Sequence, residues 1–244
     1  MTSNQTLIIG ANSDIAKAIA LQLINISNHR LIVISRDLSA YANFDTERIT
    51  GIEIENYHPD NIEHAITKIP CSQQQPITQV FICHGLLHKN NIQPEKRIED
   101  FDVTCFQTIM EANAITPMLW IQKLIPLLPR KHPCKLIVFS ARVGSISDNH
   151  LGGWYSYRAS KAALNMMLKN TAIELARRAK NIKVISFHPG TTDTPLSKPF
   201  QKNVPADKLF SSEFVANQLL TIVDSCAFDN SLSYLDWQGK TIPW

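Results

Sequence analysis

Residues 7–20 read LIIGANSDIAKAIA. An apolar run from Thr6 to Ile9 ends at Gly10, and after a short polar turn the spacing becomes helical from Ile15 to Ile26. This is a strand passing through a glycine turn into a helix. The helix N-terminus presents unpaired N–H groups and a partial positive charge, which suits a pyrophosphate. Gly10, Asn12, Ser13, Asp14 and Ile15 are therefore the first candidate binding residues. The same tract also serves as an ordinary capped turn, with Asp14 as the cap.

Outward from this unit the pattern repeats. Apolar runs of strand length recur at Leu31–Ile34, Val80–Ile82, Leu136–Phe139 and Val184–Phe187. Helical spacing occupies Ile62–Ile69, Cys105–Leu127 and Tyr157–Ala179. Alternating strands and helices predict an α/β fold, a Rossmann-type three-layer sandwich with a mainly parallel sheet and helices on both faces. Ligands of such sheets bind at the carboxyl ends of the strands. No repeat or flexible linker divides the chain, so residues 1–244 are expected to form a single dinucleotide-binding domain. Thr191–Ser212 holds three prolines and little periodicity, and is expected to be a substrate loop with at most one short helix. The terminal DWQGKTIPW is expected to tuck a last short strand or an interface against the body.

The second candidate site ends the second apolar run, in LIVISRD (residues 31–37). A carboxylate at this point accepts from a free ribose 2′-OH, whereas an arginine accommodates a 2′-phosphate. Ser35 followed by Arg36 favours NADP(H) over NAD, although Asp37 comes next and a solvated Arg36 is the plain alternative.

The third is GGWYSYRASKAALNMMLKNTAIELARR (residues 152–178), where Tyr157 and Lys161 share one helical face. An ammonium close to a phenol favours its ionised form. By itself, this spacing equally describes a packed surface pair. His188, adjoining Pro189, fits either an approach to the site or, the more usual case, a hydrogen-bonded structural histidine, Met166 and Met167 fit core or interface, and Trp154 and Tyr155 fit either a pocket lining or packing under the loop.

Composition excludes several classes. With 24 basic and 21 acidic residues scattered along 244, the charge of +3 offers no nucleic-acid stripe and no polybasic membrane patch. The N-terminal MTSNQTLIIGAN lacks a leader pattern, and no apolar run spans a bilayer. Five cysteines form no CxxC pair, which predicts reduced thiols and a cytoplasmic location. No metal is expected, because Cys83 and His84 lack two further ligands at suitable spacing.

Taken together, these tracts resemble the classical short-chain dehydrogenase/reductase family over nearly the whole chain, and SARVGSISDNHLGGWYSYRASKAALN (residues 140–165) is similar to its C-factor and Sniffer-like carbonyl reductase branch. The family's YxxxK falls on Tyr157 and Lys161, its nucleotide turn on Gly10–Ala16, and its NAG-type motif on Cys83, His84 and Gly85. Its helix-borne asparagine falls on Asn113 and its PG motif on Pro189 and Gly190. The resemblance implies that Tyr157 gives a proton to a carbonyl oxygen while Lys161 holds the cofactor ribose and lowers the tyrosine pKa. It further implies that Asn113 supports a relay water, that Thr192 or Thr194 joins Pro189 and Gly190 at the nicotinamide, and that a homodimer or homotetramer forms.

Three motifs depart from the family. Asp14 stands where a glycine is usual, Cys83 and His84 replace asparagine and alanine, and Ala141 occupies the place of the catalytic serine. Ser140, Ser145, Ser147 or no serine at all substitutes for it. The expectation is thus an NADP(H)-dependent oxidoreductase reducing a carbonyl, or oxidising an alcohol, in a small-molecule substrate. The alternatives are a non-catalytic NADP(H)-binding sensor or signalling protein of the C-factor type and, more distantly, a structural subunit that uses only the fold.

Overall fold

The computed structural model describes residues 4–27, 29–45, 47–72, 75–128 and 131–244; the first three residues of the N-terminal reading, Met1–Ser3, lie outside them. The strand–helix alternation holds: β1 (Asn4–Ile9), α1 (Asp14–Ile24), β2 (His29–Ser35), β3 (Ile49–Glu53), α2 (Pro59–Thr67) and β4 (Ile77–Ile82) come first. They are followed by α3 (Val103–Met110), α4 (Thr116–Leu124), β5 (Cys134–Phe139), α5 (Tyr155–Arg178) and β6 (Ile182–His188). A short pair, β7 (Thr191–Thr192) and β8 (Leu209–Phe210), precedes α6 (Ser212–Ser225) and β9 (Leu232–Asp236).

Seven strands form one sheet in the order β3-β2-β1-β4-β5-β6-β9, and every pairing is parallel. The order reverses between β1 and β4, and a crevice opens at their carboxyl ends. Alternation along β1 feeds two cores. Leu7 and Ile9 pack with residues of α2, α4 and α5, while Ile8 packs with residues of α1 and α6. Each such buried aliphatic or aromatic side chain contributes roughly 1.5–3 kcal/mol of transfer free energy.

Three elements lie beyond the expected set. β3 is an edge strand burying only Ile49 and Ile52, too little apolar character to stand out in sequence. α6 buries Val215, Ala216, Leu219 and Val223 against α1 and the sheet. β9 ends at Asp236, the first residue of the terminal segment expected to tuck a last short strand or an interface against the body, and the rest of that segment returns on β9 through an antiparallel bridge from Thr241 to Leu235. The helix expected over Cys105–Leu127 is interrupted: between α3 and α4, Glu111–Ile115 winds as a π turn. Within the expected substrate loop, β7 and β8 pair and two 3-10 turns cover Lys198–Asn203 and Ala206–Lys208. No helix of the described residues is long and apolar enough to cross a membrane.

Candidate active site

At the β1–α1 turn, Gly10 has φ +75°, and a Cβ there would lie 3.3 Å from the Cys83 carbonyl group at the end of β4. Glycine thus lets the two strand ends approach. Ser13, not Asp14, caps α1, its hydroxyl accepting from the Ala16 N–H at 3.3 Å. Asp14 is the first helical residue and pairs with Lys17 at 2.7 Å, so its carboxylate is partly neutralised where it faces the crevice.

The end of β2 is arranged around two side chains. Arg36 lies over the Tyr57 ring at 5.5 Å, and that ring meets the edge of His84 at 4.3 Å. Asp37 accepts from Asn12 Nδ2 at 3.1 Å and from the Ser39 N–H at 2.9 Å; these bonds, that to Ser39 foremost, hold its carboxyl below the usual range. Ser35 Oγ accepts from the Asp37 N–H at 3.3 Å. His84 is driven to about 3 by burial and then by Lys161 and Arg36, and its Nε2 is buried without a partner.

A cavity of about 600 Å³ runs from this turn to the amino end of α5. It gathers Asn12 to Ile15, His84 and Gly85, Ser140, Tyr157 and Lys161, and Pro189, Gly190 and Thr194. Of the other expected site residues, Gly10, Ser35, Arg36, Asn113 and Thr192 do not line it. Above Gly85 a Cβ would meet nothing within 4 Å, so the backbone there is open to a ligand. Thr192 Oγ1 is another buried atom without a partner.

Tyr157 and Lys161 are both buried, on the first turns of α5. Lys161 Nζ donates to the Phe139 carbonyl at 3.0 Å and stands 5.9 Å from the Tyr157 ring centre. Burial brings the lysine down to about 7 and pushes the phenol well above its ordinary range, Tyr234 adding to the latter, so the lowering of the phenol expected from Lys161 is not what this site shows. Gly144 permits this packing, because a Cβ there would be 2.8 Å from the Lys161 backbone.

Asn113 sits in the π turn, fully buried, a place where such turns often carry function. Its amide accepts from the Leu86 N–H at 2.7 Å and donates to the Leu86 carbonyl at 2.8 Å and to Ser160 Oγ at 3.0 Å. The side chain therefore ties the segment after β4 to α5. Ser140 lines the cavity, but its hydroxyl donates to Asn165 Oδ1 at 2.8 Å, as does that of Ser186 at 2.9 Å. Ser145 Oγ accepts from the Asp148 N–H at 3.1 Å, Ser147 Oγ donates to the Trp244 carbonyl, and neither lines the cavity.

Glu95, Leu87 and Val143 at the site carried no sequence signal, whereas for Trp154 the sequence left pocket lining and packing under the loop open. Glu95 is buried under the start of α5, where Ser156 donates to its carboxylate through both N–H, at 3.2 Å, and hydroxyl, and the Trp154 N–H donates to its carbonyl. Gly152, Gly153 and Trp154 there have φ of +66°, +64° and +53°. Trp154 lines the cavity and meets Tyr157 and Phe200 edge-on, at 6.2 and 5.1 Å. Leu87 and Val143 complete an apolar wall. Phe200 was discernible only as part of the expected loop. No group of three or more His, Cys, Asp or Glu suited to a metal occurs among the described residues.

A parallel sheet with this strand order, a glycine turn into α1 and a Tyr–Lys pair on α5 define a Rossmann-type α/β protein. A family model described as short chain dehydrogenase matches residues 4–205, and the chain belongs to that family. It is 26% identical over 241 residues to 1-hydroxy-2-glutathionyl-2-methyl-3-butene dehydrogenase of Rhodococcus sp. (strain AD45), covering 98% of each chain. Its fold matches carbonyl reductase Sniffer of D. melanogaster with a TM-score of 0.84 at 21% identity, over 99% of both chains. It also matches an NADPH-bound carbonyl reductase from chicken fatty liver with a TM-score of 0.83 at 20% identity, over the full length of both.

Proposed function

We propose that this chain is an NADP(H)-dependent carbonyl reductase, with Tyr157 as the proton donor. The observation that carries this reading is one cavity joining the α1 N-terminus to the Tyr157–Lys161 pair. The residues fit the cofactor. The capped turn and its unpaired N–H groups suit a pyrophosphate, the open backbone at Gly85 and the unpartnered Thr192 hydroxyl offer contacts, and Arg36 on Tyr57 suits a 2′-phosphate. The name of the NADPH-bound structural relative points the same way.

When bound, the reduced nicotinamide supplies the hydride. The chain's own residues do the rest. Tyr157, with its pKa raised by burial, keeps its proton at neutral pH and delivers it to the carbonyl oxygen as the carbon is reduced. Lys161, near 7 and fixed through Phe139, offers its remaining protons to the ribose hydroxyls. Pro189, Gly190 and Thr194 hold the nicotinamide end. Leu87, Val143, Trp154 and Phe200 exclude water and favour an uncharged carbonyl compound with an apolar body. One domain carries the whole site, with residues 191–212 as its roof. A homodimer or homotetramer belongs to this reading, and Met166 and Ile173 are exposed on α5 for such contacts; light scattering tests it.

NADPH oxidation against a panel of ketones and aldehydes tests the activity. Turnover is expected with uncharged aryl or alkyl carbonyls, and Tyr157→Phe is expected to lose at least about 100-fold. Tight NADPH binding without any turnover overturns the catalytic reading in favour of a cofactor-binding sensor.

A further inference from the structure

The phenol of Tyr157 is a single donor, whereas a carbonyl oxygen gathering charge has room for two. The polar side chains closing β5 and β6 are nearly all engaged. Ser140 and Ser186 both donate to Asn165, and Arg142 is paired with Asp148 at 3.3 Å and Asp236 at 3.1 Å. Ala141, directly after Ser140, presents a methyl group to the Tyr157 cluster. His188 differs. It lines the same cavity as Tyr157 and Ala141, its Nδ1 is buried without a partner, and neither ring nitrogen is bonded among the described residues.

The strand geometry places it on the correct face. Along β6, Phe187 packs in the core under α1 and α6, while Ser186 reaches Asn165 of α5. His188, two residues beyond Ser186, returns to the α5 side. Its neighbour on the next strand is Asp236, held by Arg142. Burial, and then Arg142, lower His188 to about 4 against the opposing pull of Asp236 and Asp148. The ring is therefore neutral at pH 7, with one N–H to give and one nitrogen to accept.

We propose that His188 donates the second hydrogen bond to the substrate's reacting oxygen, in the place left without a hydroxyl at Ala141. This rests on the reading of Tyr157 as proton donor. His188 stays neutral throughout, holding the oxygen while the proton comes from Tyr157.

The test is a double-variant cycle with benzil, an uncharged aryl diketone, as probe, alongside NADPH titration by fluorescence. His188→Ala is expected to lower kcat/KM by about 100-fold, the scale of a lost oxyanion donor, with NADPH affinity unchanged within about twofold. His188→Gln, which keeps a donor, is expected to lose less than about tenfold. Ala141→Ser is expected to restore most of the loss in the His188→Ala background and to raise kcat/KM of the parent chain by a much smaller factor, an outcome that a packing role for the ring does not produce. Should His188→Ala not fold, His188→Phe keeps the bulk without the donor and carries the same expectation. Activity of His188→Ala above half the parent value, or an equal gain from Ala141→Ser in both backgrounds, overturns the proposal while leaving the Tyr157 assignment intact. Full activity of Tyr157→Phe, or no reduction of benzil or any panel carbonyl by the parent chain, overturns both.

Discussion

Lys161 is tied to Phe139: its ammonium donates to that carbonyl at 3.0 Å, linking α5 to the end of β5. The bond fixes where the charge sits, and burial makes the charge costly.

That cost has a pH signature. The lysine falls from its ordinary 10.5 to about 7 in the folded protein, so between these values the unfolded chain holds a proton that the native one has released. Stability therefore rises with pH across this window, and the full penalty is present below about pH 7. Lys161→Met removes the penalty. In urea titrations without NADPH, the variant is expected to exceed the parent by on the order of a few kcal/mol near pH 6, and the gap is expected to close towards pH 10. A gap that does not change with pH contradicts the assigned cause.

At the cofactor end, Lys17 neutralises Asp14. Lys17→Ala leaves a bare carboxylate beside the phosphates and is expected to weaken NADPH binding by about three- to tenfold, less at high salt. Asp14→Asn in the same chain is expected to restore the affinity. Equal loss in the double variant would assign the effect to the missing lysine alone.

Under the start of α5, Glu95 receives two bonds from Ser156, the residue before Tyr157. Glu95→Ala strands these buried donors and is expected to cost about 2–4 kcal/mol in denaturant unfolding. Glu95→Gln is expected to retain more than half of that stability, and kcat is expected to fall in step with the loss. Unaltered unfolding of Glu95→Ala would mean that water replaces the carboxylate.

The fold was legible because β1, β2, β4, β5 and β6 are buried on both faces and show as continuous apolar runs. β3 escaped because an edge strand needs few apolar residues, and the π turn because nothing in EANAI marks a wider winding. At the site, the Tyr157–Lys161 spacing and the glycine turn depend on local geometry, which sequence carries. The direction of the Ser140 hydroxyl depends on Asn165 and Ser186, brought together only by the sheet. For His188 the sequence offers both a structural and a site role, and only the strand ends, which leave its ring without partners, separate them. Tyr57 and Glu95 act through residues far from them in sequence, namely Arg36 and Ser156.

Trp154 places opposed demands on one position. Its left-handed backbone, φ +53°, is a conformation that favours glycine, yet its ring forms the wall against Tyr157 and Phe200. Replacement by glycine relaxes the chain and deletes the wall, whereas any large side chain keeps the wall and the strain. Variant libraries at this position should therefore divide into tolerant, broad-mouthed proteins and stiffer, selective ones. Selection for heat resistance alone would drift towards the first group, and screening for substrate discrimination would hold the second.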